Sequence, residues 1–198
     1  MPQFIESIKL LDGQFYHLPQ HEERRRKTLL HYFGMGPQLT LSQILKRELI
    51  PFTGLYKCRV VYNEDSQFVE FIPYTANQIF SLKVVQDDSI DYSFKFENRK
   101  RLKELFELRG SCDDIIIVKN GCITDASYAN VVFKRKNEWI TPKTYLLNGT
   151  MRQQLIKDNM IVEEEIREKD IPKFESVKLI NSMLGFDGVE LPITNIFS

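Results

Sequence analysis

Neither sign of charge dominates this chain: its 198 residues carry 27 lysines and arginines against 27 aspartates and glutamates. Without a net field, bulk attraction to nucleic acid or to an anionic membrane surface is excluded as the basis of function. Cysteine is scarce too. Cys58, Cys112 and Cys122 are odd in number, widely spaced and free of any C-x-x-C pair, so neither a disulfide framework nor a zinc site is indicated. Reduced, mostly packed thiols are expected, with no metal. No apolar run approaches the roughly 20 residues that span a bilayer. The opening MPQFIESIKLLDGQ lacks the basic head and long apolar stretch of a signal peptide. A cytoplasmic protein is the expectation, and internal repeats and low-complexity tracts are absent.

What is present is an ordinary globular composition, 42% apolar and 27% charged, in a chain that falls between one large domain and two small ones. Two apolar runs around Leu11-Asp12-Gly13 predict a hairpin over residues 4–10 and 14–18. Helices are expected over 21–32, stopped by Gly34, and over 41–49, followed by strands over 55–62, 68–73 and 80–85. The second half predicts a helix over 96–108 closed by Gly110, a strand over 114–118, and a hairpin turn at Asn120-Gly121. Strands over 129–133 and 138–141, a helix over 149–157, and strands over 161–166, 177–181 and 190–193 follow. The fold class is mixed α/β (α+β), with a small α+β domain over 1–86, a linker over 87–91 and a larger, barrel-like β domain with helices over 92–198.

Five short polar motifs stand out, each with an ordinary alternative. Lys95 lies between Phe94 and Phe96. Desolvation there lowers an amine's pKa toward the range where it forms a Schiff base. Alternatively, the two phenylalanines face a core and the lysine snorkels to water. His21 and Arg24 are three apart on one helix face, where a guanidinium can clamp an anion, or they belong to a solvated basic run ending at Lys27. Thr124-Asp125-Ala126-Ser127-Tyr128-Ala129-Asn130 packs a carboxylate, hydroxyls and an amide between apolar strands. Asp125 is suited to hold a proton on a heteroaromatic nitrogen, or it merely organises a turn. Gly149 before Thr150 and Met151 opens a helix whose amides suit a phosphate, though many helices start this way without binding anything. Ser182, after Asn181, ends an apolar strand where a hydroxyl completes an anion site or simply terminates the strand.

Taken together and in this order, these segments resemble the fold-type IV pyridoxal-phosphate enzymes, which include D-amino-acid and branched-chain aminotransferases and 4-amino-4-deoxychorismate lyase. The similarity runs from the opening hairpin to Ser182. It implies that Arg24 of the histidine-x-x-arginine helix holds the cofactor phosphate and that Lys95, in a lysine-x-x-asparagine motif with Asn98, is the Schiff-base lysine. It also implies that Thr124, Asp125 and Asn130 match the threonine-glutamate-x-x-x-x-asparagine motif, with aspartate replacing the glutamate that pairs with the pyridine nitrogen. Gly149, Thr150, Met151 and Ser182 fall on phosphate-binding positions.

Asn148 to Gln154, Lys95-x-x-Asn98-Arg99 and Ile180 to Leu184 look most like the lyases. The resemblance implies pyridoxal 5'-phosphate as cofactor, a small amino substrate and a homodimer. The leading expectation is conversion of 4-amino-4-deoxychorismate to 4-aminobenzoate and pyruvate in folate biosynthesis. A class IV aminotransferase is the alternative, and a non-catalytic binding member, suggested by Asp125 and the short chain, is the third. Arg59, Arg99 and Arg152 are equal candidates for a substrate carboxylate.

Overall fold

In the computed structural model, which describes residues 1–198, the strand Phe4–Leu11 (β1) is the spine of the first of two units. Its alternate residues Phe4, Glu6, Ile8 and Leu10 are all 0% exposed, the period-two pattern of a strand with one face in a core. Asp12 and Gly13 both take positive φ, 47° and 78°, as a two-residue hairpin turn demands, and lead into the short β2 (Gln14–Phe15). β2 stops early because His17 turns left-handed and caps the helix α1 (Leu18–Phe33), which carries a proline in its first turn. The helix therefore begins three residues before the expected His21. Gly34, at φ 71°, ends it by donating its N–H to the Leu30 carbonyl. A reciprocal box between Thr40 and Gln43 opens α2 (Leu41–Leu45). β1 then pairs antiparallel along its length with β3 (Leu55–Tyr62), and β3 pairs with β4 (Gln67–Pro73).

The first unit comprises Met1–Ala76 and, after an excursion, Phe94–Asn98. The returning segment lies along β1: Phe96 bridges Phe4, Ile5 N–H donates to the Lys95 carbonyl at 2.9 Å, and Glu97 N–H donates to the Gln3 carbonyl at 2.8 Å. Lys95 thus sits in chain pinned to a strand edge. The next helix, α3, begins only at Lys100 and ends at Glu107, later than the expected start at Phe96, because Phe96 is committed to that pairing.

The second unit comprises Asn77–Ser93 and Arg99–Ser198. This corrects the division expected at residues 86–92. β5 (Leu82–Gln86) pairs in parallel with β6 (Asp114–Lys119) and so belongs to the second unit, as does the segment 87–91 that was expected to link the two. A nine-stranded sheet follows, built on β6, β7 (Cys122–Ala126), β8 (Asn130–Arg135) and β9 (Glu138–Pro142), with β10 (Val162–Glu164) parallel to β9. β11 (Ser176–Ile180) pairs with β8 and with β12 (Glu190–Pro192), and β13 (Ile196–Phe197) adds to β5. The helix α4 (Thr150–Lys157) leaves the loop after β9. Ile116, Val131, Phe133, Ile140 and Val177, all 0% exposed, form the centre of this unit's core. No helix in the chain is long and apolar enough to cross a membrane, and the three cysteines are free thiols.

Candidate active site

In the second unit the site residues converge through one hairpin. Ala126 N–H donates to the Ala129 carbonyl at 2.8 Å, closing a turn that sets Asp125 directly opposite Asn130 in the β7–β8 register. Opposed residues on antiparallel strands share a face, with Cβ atoms about 5 Å apart. The five-residue spacing of the motif is therefore what lets Asn130 Nδ2 donate to Asp125 Oδ1 at 2.7 Å. The same amide nitrogen donates to the Leu147 carbonyl at 2.8 Å, while the N–H groups of Leu146 and Leu147 donate to Asp125 Oδ2 at 3.0 and 2.9 Å. Leu147 is thus held at both its N–H and its carbonyl. The loop leading to α4 cannot shift without breaking contacts to both members of the pair.

Gly149 follows two residues later. The side-chain oxygen of Asn130 occupies the space that a Cβ on residue 149 would take, so any larger residue there must displace Asn130. α4 then begins with the buried Thr150 and Met151, whose backbone N–H groups have no acceptor within the helix and lie at its positive end. Ser182 is buried just beyond β11, where Ile180 is the register partner of Asn130. Asn181 Oδ1 accepts from the N–H groups of Met183 and Leu184, both at 2.9 Å, and its Nδ2 donates to the Tyr128 carbonyl at 3.3 Å, joining this turn to the β7–β8 hairpin. Thr124 has a structural bond, donating to the Ile117 carbonyl at 2.8 Å. Burial pushes the Asp125 carboxyl up to about 6, against the three donors, which favour the ionised form.

In the first unit, Arg24 meets a residue that sequence reasoning passed over. Glu6 is 0% exposed on the inward face of β1 and receives His21 Nδ1 at 2.6 Å, Arg24 Nε at 3.0 Å and a second, shorter bond from a terminal nitrogen of Arg24. Burial alone would raise the Glu6 pKa; the adjacent Arg24 charge and the bonds from His21 and Arg24 outweigh it and bring it down to about 2. Burial lowers the pKa of His21 against the bond and charge of Glu6, which raise it, and the charges of Arg24 and Lys95 add to the lowering. The signal that identifies Glu6 in the sequence is its place in the alternating row Phe4, Glu6, Ile8, Leu10. Phe94 and Phe96, as the ordinary alternative has it, enter the aromatic cluster: Phe96 lies 5.1 Å from Phe4 and Phe94 stacks on His31 at 4.6 Å. Lys95 is partly exposed, and its charge acts on His21. Asn98 is exposed.

The three arginines offered for a substrate carboxylate are not equivalent. Arg59 is held by Glu70 at 2.7 Å and Glu97 at 2.8 Å, and Arg152, 2% exposed, by Glu163 and the Pro142 carbonyl. Arg99 donates to the Ser127 carbonyl at 2.6 Å, two residues from Asp125, and forms no ion pair.

Taken by itself, the second unit holds a buried acid, helix-start amides and a buried hydroxyl, groups that suit a ring nitrogen and a phosphate. The first unit, by itself, holds an amine and an oriented guanidinium.

Comparison with known proteins bears on the family. Residues 93–191 match the family model described as amino-transferase class IV. A Haemophilus somnus protein described as a "putative 4-amino-4-deoxychorismate lyase" is 34% identical, with a TM-score of 0.88 over 94% of this chain and 98% of that one. A Schizosaccharomyces pombe protein named "Putative aminodeoxychorismate lyase" is 25% identical over 87% of this chain and 83% of its own length. A Brucella abortus aminotransferase, solved bound to the cofactor PLP, shares the fold at 16% identity, with a TM-score of 0.72 over 98% of this chain and 81% of that one. The matched motifs, the mixed α/β architecture and the 34% identity over nearly the whole length lead to one conclusion: the chain belongs to the amino-transferase class IV family, with the fold-type IV architecture.

Proposed function

We propose that the chain binds pyridoxal 5'-phosphate through Lys95 and converts 4-amino-4-deoxychorismate to 4-aminobenzoate and pyruvate, a step of folate biosynthesis. The observation that carries the reading is the Asp125–Asn130 pair, which ties a buried acid to the glycine turn opening α4. Support for a lyase over an aminotransferase comes from the identity to the Haemophilus somnus protein along almost the whole chain.

When bound, the cofactor supplies an electron sink for the charge left as a proton leaves the carbon bearing the amine. Asp125 is assigned to hold a proton at the ring nitrogen; a carboxylate held by two backbone amides and Asn130 is oriented before the charge arrives. The amides of Thr150 and Met151, the Ser182 hydroxyl and Arg24 are assigned to the phosphate. Asn130 and Gly149 act through the positions they impose. Lys95 Nζ takes the proton from the substrate ring carbon, the C–O bond of the enolpyruvyl ether breaks, and the same amine returns the proton to the departing three-carbon unit. Arg99, forming no ion pair, is assigned to a substrate carboxylate. The expected homodimer and cytoplasmic location belong to the same proposal.

The test is pyruvate release from aminodeoxychorismate with no keto acid present, together with borohydride fixation of the cofactor and peptide mapping. Turnover without acceptor and label on Lys95 support the lyase. Strict dependence on an acceptor would replace it with an aminotransferase. Absence of a near-visible absorbance band after cofactor addition would leave a non-catalytic binding protein.

A further inference from the structure

A carboxylate in the core-facing row of β1 is costly unless every oxygen is matched, and a leucine at position 6 would pack with Phe4, Ile8 and Leu10 at no such cost. Glu6 is matched entirely from one face of α1, because His21 and Arg24 are three residues apart and reach the same side. A carboxylate can only accept, so His21 donates to Glu6 from Nδ1, and its Nε2 is buried without a hydrogen-bond partner. Arg24 meets Glu6 with Nε and one terminal nitrogen, the two-pronged geometry that fixes the plane of a guanidinium and directs its opposite edge away from the carboxylate. Glu6 and Arg24 together carry no net charge.

We propose that Glu6, braced by His21, is a positioning residue that fixes the Arg24 guanidinium so that Arg24 recognises the cofactor phosphate by orientation more than by charge. This rests on the cofactor reading above and adds to it a sign that can be measured. If attraction by charge governed the phosphate, removing the Glu6 charge would strengthen binding. If orientation governs it, the same change weakens binding, because the carboxamide introduced by Glu6→Gln would set one N–H against the donors of His21 or Arg24.

The experiment compares the affinities of pyridoxal phosphate and pyridoxal for purified wild type and Glu6→Gln, by absorbance titration. The expected result is a loss of about tenfold or more for the phosphate ester, with pyridoxal changed less than about twofold. Unchanged or tighter pyridoxal-phosphate binding overturns the proposal, and so does an equal loss for both ligands. Should Glu6→Gln not fold, His21→Asn, which keeps an N–H donor for Glu6, is compared with His21→Leu, which does not. Rescue of the phosphate preference by Asn alone is expected, and equal preferences in the two overturn the idea. A wild type that neither binds the cofactor nor is labelled at Lys95 defeats the cofactor reading and this one together. A wild type that binds while the variants keep its phosphate preference defeats this one only.

Discussion

The side-chain oxygen of Asn130 fills the volume into which a Cβ on Gly149 would project, while the nitrogen of the same amide bonds Asp125 and the Leu147 carbonyl. Gly149→Ala therefore has to displace Asn130 and, with it, the donor on Asp125. Overpacking of this kind costs about 1–3 kcal/mol, and urea unfolding of the cofactor-free protein measures it. Asn130→Ala is expected to cost about as much by leaving the Leu147 carbonyl without its donor. The double variant should cost less than the sum of the two, because alanine at 130 vacates the space that alanine at 149 needs.

Asp125→Glu, although it restores the residue common in the family motif, is expected to destabilise the cofactor-free protein by about 1–3 kcal/mol. The added methylene moves the carboxylate off the Leu146 and Leu147 amides that now hold it at 3.0 and 2.9 Å. Equal or greater stability of the variant would show that the loop follows the longer side chain.

Stability should depend on pH through two groups of opposite sign. The Asp125 carboxyl is raised from 3.8 to about 6 in the fold, so the native state takes up a proton before the unfolded chain does. This group's contribution grows as pH falls from about 6 toward 4. Relative to Asp125→Asn, cofactor-free wild type should gain about 2 kcal/mol between pH 8 and pH 4.5. Glu6 works the other way: its pKa falls from 4.5 to about 2, so its contribution is complete above pH 4.5 and is lost as pH falls toward 2. Parallel urea titrations of wild type and both single-site variants across this range check the two signs.

Arg59 joins Glu70 of β4 to Glu97 of the segment that carries Lys95. Both bonds are partly exposed, so Arg59→Ala is expected to cost only about 0.5–1 kcal/mol globally. Its local effect should be larger. Hydrogen exchange at the Glu97 amide, which donates to Gln3, should speed up in the variant while the β1–β3 ladder keeps its protection.

Much of the fold was legible because alternation and turn chemistry act locally. β3 spans Leu55–Tyr62 as its pattern predicts, and Asn120-Gly121 turns with both residues at positive φ. The errors lie where a distant partner decides. Nothing near β5 announces that it pairs in parallel with β6, and nothing in Phe96 itself announces Phe4 as its partner. The motif residues were legible as a series, and the five-residue spacing from Asp125 to Asn130 now has a cause in the hairpin register. Glu6 went unnoticed because a lone acid in a strand suggests a solvent face. Its partners lie 15 and 18 residues away, and only the fold brings them together.

The return of residues 94–98 to the border of β1 makes this stretch a seal as well as a carrier of the amine. A fragment ending at residue 76 would leave the backbone beside Gln3 and Ile5 unzipped and one flank of the Phe4 ring bare. Such a border is a template for a stranger's strand. Severed from those five residues, the amino-terminal piece should clump, and a synthetic peptide spanning them should keep it dispersed.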